Sequence, residues 1–366
     1  MKFGVPQGSV LGPLLFLLYI NDLLNCYLGD GCKFVLYADD TNLFVIDITR
    51  KAATDKANKI LKLVNNFMKS NLLHINIGKC CYMYFEPPTH YRSRMLGSCA
   101  RSRTYTRKAD IPKIIIDGNV IKEVSETKFL GVIIDNRLSW VPHIENLYKK
   151  LKSANGMLKR IRNNIPRENY KSIYHALFES HMRYCITVFG GASATHLEKI
   201  FRVQKHCVRI LFGNYNAYLQ KFETCARTRE YGKQILGSDF YCYEHTKPLF
   251  NELEILTFQN AYTYQACLEM LKILKFRVPT RLHDEIKLSQ RNNGTLIILP
   301  TPSDDFIYKG SKLWNMAIKL IAKTDDLLSI KFNSFKCKLK KVLVSIQKKH
   351  DTCEWSPHNF KLDTAI

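Results

Sequence analysis

The order of apolar and polar positions predicts a mixed α and β structure at the start of the chain. An apolar block at residues 14–24 follows a glycine-rich loop and predicts a buried helix. Two runs of strand-forming residues, 34–37 and 41–46, flank the adjacent carboxylates of Asp39 and Asp40. This arrangement predicts a β-hairpin with both carboxylates at its tip.

The pattern changes from short strands to helices near residue 140. Before that point it predicts a helix at 52–71, strands at 73–77, 81–85 and 129–134, and a hairpin whose turn is Asp117-Gly118. Beyond it, helical spacing of apolar residues recurs at 143–162, 168–184, 195–211, 255–274 and 311–322. The chain is therefore predicted to be α+β, with a mixed part at 1–139 and helical parts at 140–211 and 212–366.

The charge balance identifies the class of partner. The 366 residues include 55 lysines and arginines against 32 aspartates and glutamates, a net charge of +23. Such an excess repels itself unless a polyanion is bound, so nucleic acid is the expected partner. Three segments are strongly basic and contain no acidic residue: 87–109, 148–167 and 331–350.

Other compositional features argue against secretion and against a membrane span. The longest apolar stretch, residues 10–20, is about half the length that a bilayer requires. The 12 cysteines are dispersed along the chain, which favours reduced thiols and an intracellular location. Cys225, Cys242 and His245, with Cys207 or His206 as a fourth ligand, form a weak zinc pattern, and idle thiols are the favoured interpretation.

Two adjacent carboxylates at a tight turn repel each other unless a cation lies beside them. Oxygen ligands of this kind suit Mg²⁺, which binds through one or two carboxylates together with substrate phosphates. The simpler alternative is a solvated Asp-Asp turn, because aspartate is common in turns. The dipeptide alone favours the solvated turn over a metal site.

The wider context resembles a known family. Tyr37-Ala38-Asp39-Asp40, between two strand-forming runs, resembles the YxDD signature of reverse transcriptases, and the segment 4–13 (GVPQGSVLGP) resembles the block that precedes it. Both are most similar to the polymerases of non-LTR, LINE-like retrotransposons. Segments 73–79, 128–132 and 174–211 resemble later blocks of the same enzymes. The resemblance implies a partial antiparallel palm at 1–139, a helical thumb-like region at 140–211 and a mainly helical C-terminal region of unclear role at 212–366.

The resemblance implies a role for each matching residue. Asp39 and Asp40 would be catalytic and bind Mg²⁺, and Lys79 would be a general acid for the departing pyrophosphate. The residues expected to contact template and incoming deoxynucleotide are Gln7, Gly8 and Tyr37. The residues expected to hold the primer are Phe129, Leu130 and Gly131. The partners would be an RNA template, a DNA primer and deoxynucleotides, with copying in the nucleus.

One element of the family pattern is missing from the sequence. In these enzymes a third metal-binding carboxylate comes from a strand well upstream of the glycine-rich block, and here Met1 lies three residues before that block. Asp135 follows a predicted strand but belongs to the primer-holding segment. We therefore expect little polymerase activity from these 366 residues alone, and a catalytically inactive nucleic-acid-binding remnant is the alternative function.

Overall fold

The computed structural model describes seven stretches of the chain: residues 8–25, 29–85, 112–212, 246–288, 296–297, 306–321 and 331–349. Contacts divide the described residues into two compact units. The first lies within 1–127 and 136–138, and the second within 128–135 and 139–366. Among the described helices, none is both long and apolar enough to cross a membrane.

Helices dominate, and most of them lie in the second unit. They are α1 (Gly12–Asn21), α2 (Arg50–Ser70), α3 (Val141–Ile161), α4 (Tyr170–Ile173, a π-helical turn at Tyr174–Glu179, and Ser180–Arg183), α5 (Ile186–Phe189), α6 (Ala194–Phe212), α7 (Lys247–Leu253), α8 (Phe258–Phe276), α9 (Thr280–Glu285), α10 (Phe306–Ile321) and α11 (Phe332–Lys349). Short 3₁₀ segments occur at Asp22–Asn25, Ile77–Lys79, Arg162–Asn164 and Arg167–Asn169.

The strands form small two-stranded sheets. They are β1 (Cys32–Tyr37), β2 (Asp40–Val45), β3 (Cys81–Tyr82), β4 (Ile115–Ile116), β5 (Asn119–Val120), β6 (Lys122–Glu123), β7 (Glu126–Phe129), β8 (Val132–Asp135), β9 (Lys287–Leu288) and β10 (Leu296–Ile297). β1–β2, β4–β5 and β9–β10 pair antiparallel, β3–β6 pair parallel, and β7–β8 form a hairpin. The predicted α+β class is confirmed.

The first unit is built around the β1–β2 hairpin. One face of this hairpin packs on α1 and α2, and the shared cluster contains Ile20, Leu23, Phe34, Ile60, Val64 and Met68. The hydroxyl of Thr49 accepts a hydrogen bond from the Ala52 amide and caps the start of α2. The predicted hairpin, its contact with α1 and the helix that follows are therefore confirmed.

The predicted burial of the helix at 14–24 is wrong for most of its residues. Only Gly12 and Ile20 of α1 are buried, whereas Leu14 is 55% and Leu18 is 64% exposed. α1 is apolar on every side, yet only one side of it faces the hairpin and α2. A helix of that composition is normally covered all round, so α1 presents an apolar face that the rest of the described chain does not cover.

Two strand predictions are also wrong. Residues 73–76 are not a strand, and the segment continues into the 3₁₀ turn Ile77–Lys79, where short-range hydrogen bonds close on Asn76 and Ile77. The strand predicted at 129–134 is broken by a turn at Leu130 and Gly131, which separates β7 from β8. Both segments are short apolar runs, for which periodicity alone does not specify where the chain turns.

The second unit has one large apolar core shared by its helices. α3 and α6 pack along their length, and α8 is buried on nearly all sides by α5, α10 and α11. Gln204 of α6 lies fully buried in this core. Its amide nitrogen donates to the Tyr174 hydroxyl and the Leu256 carbonyl, and its oxygen accepts from the Phe258 amide. The hydrogen bonds of this one side chain connect α6 with α4 and with the start of α8.

Candidate functional site

The two adjacent carboxylates lie at the tip of the β1–β2 hairpin. Tyr37 pairs with Asp40 in register, which leaves Ala38 and Asp39 as a two-residue turn. Ala38 has φ +51°, a conformation that favours glycine and is strained for alanine. Strained turns of this kind are frequent at functional sites, so the backbone conformation is consistent with a role for this tip.

Strand alternation sets which side chains project at the tip. Phe34 is buried and Leu36 partly buried on the core side, whereas Tyr37 is 61% exposed on the other face. Tyr37 and Asp40 stand directly opposite each other, so their side chains leave the same outer face of the hairpin. Asp39 and Asp40 are both exposed. The tip therefore presents two carboxylates and a phenol to solvent.

The donor chemistry of the tip suits a magnesium ion, but the ligand set is incomplete within the described residues. Carboxylate oxygens of Asp39 and Asp40 are ligands that Mg²⁺ prefers. Across the described stretches, no group of three or more His, Cys, Asp or Glu side chains is arranged to hold a metal ion. Any complete two-metal site would need another carboxylate. The zinc candidates Cys225, Cys242 and His245 lie outside the described residues.

Lys79 lies in the first unit, and the residues on either side of it pack near the open end of the β1–β2 hairpin and not near its tip. Ile77 and Cys80, on either side of it, pack against the same small cluster as Val45. Val45 is at the open end of the hairpin, where it pairs with Cys32. At about 3.3 Å per residue, that end is about 17 Å along β2 from Asp40. The predicted role of Lys79 stays a prediction.

The predicted template-binding residues are only partly described. Gln7 lies outside the described residues. Gly8 has φ +85°, and a Cβ added to it would meet no atom of the described residues within 4 Å. It immediately precedes Ser9, whose hydroxyl accepts from the Gly12 amide at 3.2 Å at the start of α1. Gly8 is therefore required for its backbone conformation, and the described residues leave the space around it open.

The predicted primer-holding residues form the β7–β8 turn. Phe129 ends β7, and Leu130 and Gly131 are the two turn residues. Their φ values of +45° and +84° match a type I′ turn, whose twist suits a two-residue hairpin. The three residues therefore form the end of a strand and a tight turn, whereas the sequence predicted a continuous strand at 129–134.

Asp135 has a structural role that the sequence did not reveal. Its two carboxylate oxygens accept hydrogen bonds from the amides of Ser139 (3.0 Å) and Trp140 (2.9 Å), just before α3 begins. The side chain is 7% exposed. A buried carboxylate that accepts these two hydrogen bonds fixes the backbone that leads into α3.

The solvent side of α3 carries a concentration of positive charge. We call this surface the α3 basic face; all its members are exposed, and none forms an ion pair with an acidic residue in the described part of the chain. They are Lys149, Lys150, Lys152, Lys159 and Arg160. Lys149 and Arg160 are eleven residues apart, close to three full turns, so they share one side of the helix.

Two titratable residues of α6, Lys205 and His206, also lie close to positively charged side chains. Burial lowers the pKa of His206, and the nearby charges of Arg209, Lys159 and Lys152 lower it further. Burial, followed by Arg209, also lowers the pKa of Lys205. Cations from α3 and α6 therefore converge around His206. Phosphate groups are the natural counter-ions for such a surface.

The comparison with protein families identifies the class of the N-terminal segment. Residues 1–134 match the family described as "Reverse transcriptase (RNA-dependent DNA polymerase)". The segment that contains the β1–β2 hairpin and its Asp39-Asp40 tip is therefore similar to reverse transcriptases, as the resemblance implied.

The relatives narrow this to LINE-like elements. The chain is 29% identical over 221 residues to "RNA-directed DNA polymerase from mobile element jockey" of Drosophila funebris, a match that covers 58% of this chain and 22% of that protein. It is 24% identical over 216 residues to "Probable RNA-directed DNA polymerase from transposon X-element" of Drosophila melanogaster (57% and 22%). It is 26% identical over 189 residues to the "Retrovirus-related Pol polyprotein from type-1 retrotransposable element R1" of Bradysia coprophila (51% and 17%). The non-LTR resemblance is thus confirmed.

The chain spans about a fifth of the length of these curated relatives. No solved structure matches it. The matches to jockey and X-element proteins cover more residues than the family match, so they extend past residue 134 into the helical second unit.

Proposed function

We propose that this chain is part of a non-LTR retrotransposon polymerase that extends a DNA primer by copying an RNA template. The observation that carries the proposal is the Asp39-Asp40 hairpin tip, exposed and strained, inside a segment similar to reverse transcriptases. The reaction would be in-line attack of the primer 3′-hydroxyl on the α-phosphate of a deoxynucleotide, with release of pyrophosphate.

Asp39 and Asp40 would supply two of the carboxylates that hold Mg²⁺. The bound ions would stabilise charge on the attacking and leaving oxygens, which is the chemistry expected of a two-metal site. Since the described residues contain no third ligand, the proposal includes another polymerase segment that adds one. The uncovered apolar face of α1, in the same unit as the hairpin, supports the existence of such a segment.

The other site residues would act by position. Tyr37 leaves the hairpin on the same face as Asp40, which suits a contact with the primer end or the incoming nucleotide. Gln7 and Gly8 would line the template and nucleotide, and the space that the described residues leave around Gly8 allows close backbone approach. Lys79 would protonate the departing pyrophosphate. The turn at Phe129, Leu130 and Gly131 would receive the primer end.

The α3 basic face would contact the backbone of the bound duplex. Its cations have no ion-pair partner among the described acidic residues, so binding phosphate costs no existing salt bridge. Contacts with about four phosphates should give a slope of log K against log salt near −3.6 on duplex DNA, because each contact contributes about −0.9. Such contacts position the duplex and carry no sequence information.

Primer extension tests the catalytic proposal. The assay compares the 366-residue chain with the same chain preceded by the palm segment of a jockey-type polymerase, each with Mg²⁺, an RNA template and a DNA primer. We expect little extension by the first and clear extension by the second. Asp39→Asn should reduce extension at least about a thousandfold, because a lost metal ligand removes several kcal/mol of charge stabilisation.

Asp47→Asn is the matched control, since Asp47 is also exposed but lies at the other end of the hairpin. It should leave extension unchanged. Extension that survives Asp39→Asn would refute the assigned site. Salt-dependent binding without extension in either form of the chain would favour the alternative, a nucleic-acid-binding remnant without turnover.

A further inference from the structure

Tyr184 contacts the β7–β8 turn from the end of α4. Its hydroxyl donates a hydrogen bond to the Leu130 carbonyl at 2.6 Å, across 54 residues of sequence. Its ring lies against Gly131, where an added Cβ would come within 3.2 Å of the ring Cε1. Both turn residues are thus held by one phenol.

The conformation of the β7–β8 turn is unfavourable without contacts from outside the turn. Leu130 adopts φ +45°, which a residue with a Cβ reaches only at a cost in free energy. Gly131 accepts φ +84° without that cost but adds backbone freedom. A hydrogen bond to the carbonyl between these residues opposes relaxation of the turn.

The backbone that carries Tyr184 is held in place by contacts of the preceding residue with α8. The chain leaves helical geometry at Tyr184, with ψ 118°, and Cys185 takes φ +53°. The preceding residue, Arg183, donates to Gln265 of α8 at 2.9 Å, and its guanidinium lies 5.4 Å from the centre of the Tyr264 ring. The end of α4 is therefore anchored on α8 while Tyr184 reaches the turn.

The contact is at a surface and not within the core. The Tyr184 side chain is 53% exposed and borders an open pocket of about 590 Å³, whose polar walls include Glu179, Arg183 and Gln265. A tyrosine retained only for packing would be expected to bury its ring more completely. The exposed side of the turn and of the phenol leaves room for a bound strand.

We propose that Tyr184 is a positioning residue for the primer, which it serves by holding the Leu130–Gly131 turn in the conformation that receives the primer end. The inference rests on the proposed function, because the primer is assigned to this turn by that proposal. A turn already fixed before binding has less conformational freedom to lose, so the contact should favour primer termini specifically.

The test measures equilibrium binding of the 366-residue chain to two RNA–DNA hybrids of equal duplex length. One has a recessed DNA 3′ end on a longer RNA strand, and the other is blunt. The ratio of the two affinities is the preference for a primer terminus. Tyr184→Phe should lower this ratio about threefold to tenfold, as expected for loss of one neutral hydrogen bond, and should leave binding to the blunt hybrid unchanged.

Tyr19→Phe is the matched control for the lost hydroxyl. Tyr19 is similarly exposed, and its hydroxyl also donates to a distant backbone carbonyl, that of Asn71, at 2.6 Å. A second pair separates backbone strain from the tyrosine contact. Gly131→Ala and Gly118→Ala place alanine at similar φ values, but only at Gly131 does the new Cβ meet a side chain. Only Tyr184→Phe and Gly131→Ala should lower the terminus preference.

The outcomes distinguish the inference from the function on which it rests. A preference for the recessed end that Tyr184→Phe leaves intact would overturn the role of Tyr184 and leave the proposed function standing. Equal losses in Tyr184→Phe and Tyr19→Phe would assign the effect to general stability and also overturn it. Absence of any preference in the unsubstituted chain would overturn the assignment of the primer to this turn.

Discussion

Replacing Asp135 by alanine should destabilise the second unit far more than removal of an exposed carboxylate from the same unit. The Asp135 carboxylate is buried, and both its oxygens accept backbone amide hydrogen bonds from the residues that lead into α3. Trp140, one of the two donors, has φ +64°, so the cap also holds a strained residue. Alanine removes both acceptors and leaves the strain.

The magnitude follows from the two donors. Hydrogen bonds to a charged group contribute about 1.5–3 kcal/mol each. Ser139 is exposed, so in the variant its amide can donate its hydrogen bond to water instead. The amide of half-buried Trp140 has less access to water. We therefore expect a loss of about 2–4 kcal/mol in the free energy of unfolding. For a unit of this size that corresponds to a fall in Tm of about 5–12 °C. Asp135→Asn retains one acceptor and should lose about half as much.

Thermal and urea unfolding measure this loss, with tryptophan fluorescence and amide hydrogen exchange at the start of α3 as local probes. Asp284→Ala is the control, because Asp284 lies in the same unit on a short exposed helix, and its loss should cost less than about 0.5 kcal/mol. A loss below about 1 kcal/mol for Asp135→Ala, or an equal loss for Asp284→Ala, would refute the capping argument.

Three further predictions concern buried groups in the second unit. Gln204→Leu should cost about 2–4 kcal/mol by urea unfolding, because it leaves buried hydrogen-bonding partners on three neighbours unpaired; a loss under about 1 kcal/mol would contradict this. Burial, with a smaller effect of Lys150, lowers the pKa of His143 below its ordinary 6.5. As the pH falls, His143 therefore becomes protonated in the unfolded chain before it does so in the folded chain, and the free energy of unfolding should decrease below about pH 6.5. His143→Gln should reduce this pH dependence. An unchanged dependence of stability on pH would exclude His143 as its cause. Gly190→Ala should reduce Tm sharply, since its Cβ would lie 2.4 Å from the Tyr262 ring, and an unchanged Tm would contradict that packing.

The local elements of this chain follow from residue order. The hairpin at Asp39 and Asp40 was predictable because two runs of strand formers surround a two-residue turn, and pairing of adjacent strands needs no distant partner. The helices α2, α3 and α6 were predictable because their apolar residues recur every three or four positions, and each buries the predicted side. The family was predictable because its motifs are short and contiguous.

Tertiary contacts decided what periodicity does not encode. α1 is apolar on every side, so its composition predicted burial, but the neighbouring described elements cover only one side. The break between β7 and β8 depends on positive φ at Leu130 and Gly131, and Tyr184 supports it from 54 residues away. The sequence did not reveal that Asp135 caps the start of α3, because its hydrogen bonds to the Ser139 and Trp140 amides appear only in the folded chain. Residue order determines the local elements because their hydrogen bonds close within a few residues. The surroundings of each side chain depend on partners far along the chain, which only the packed structure brings together.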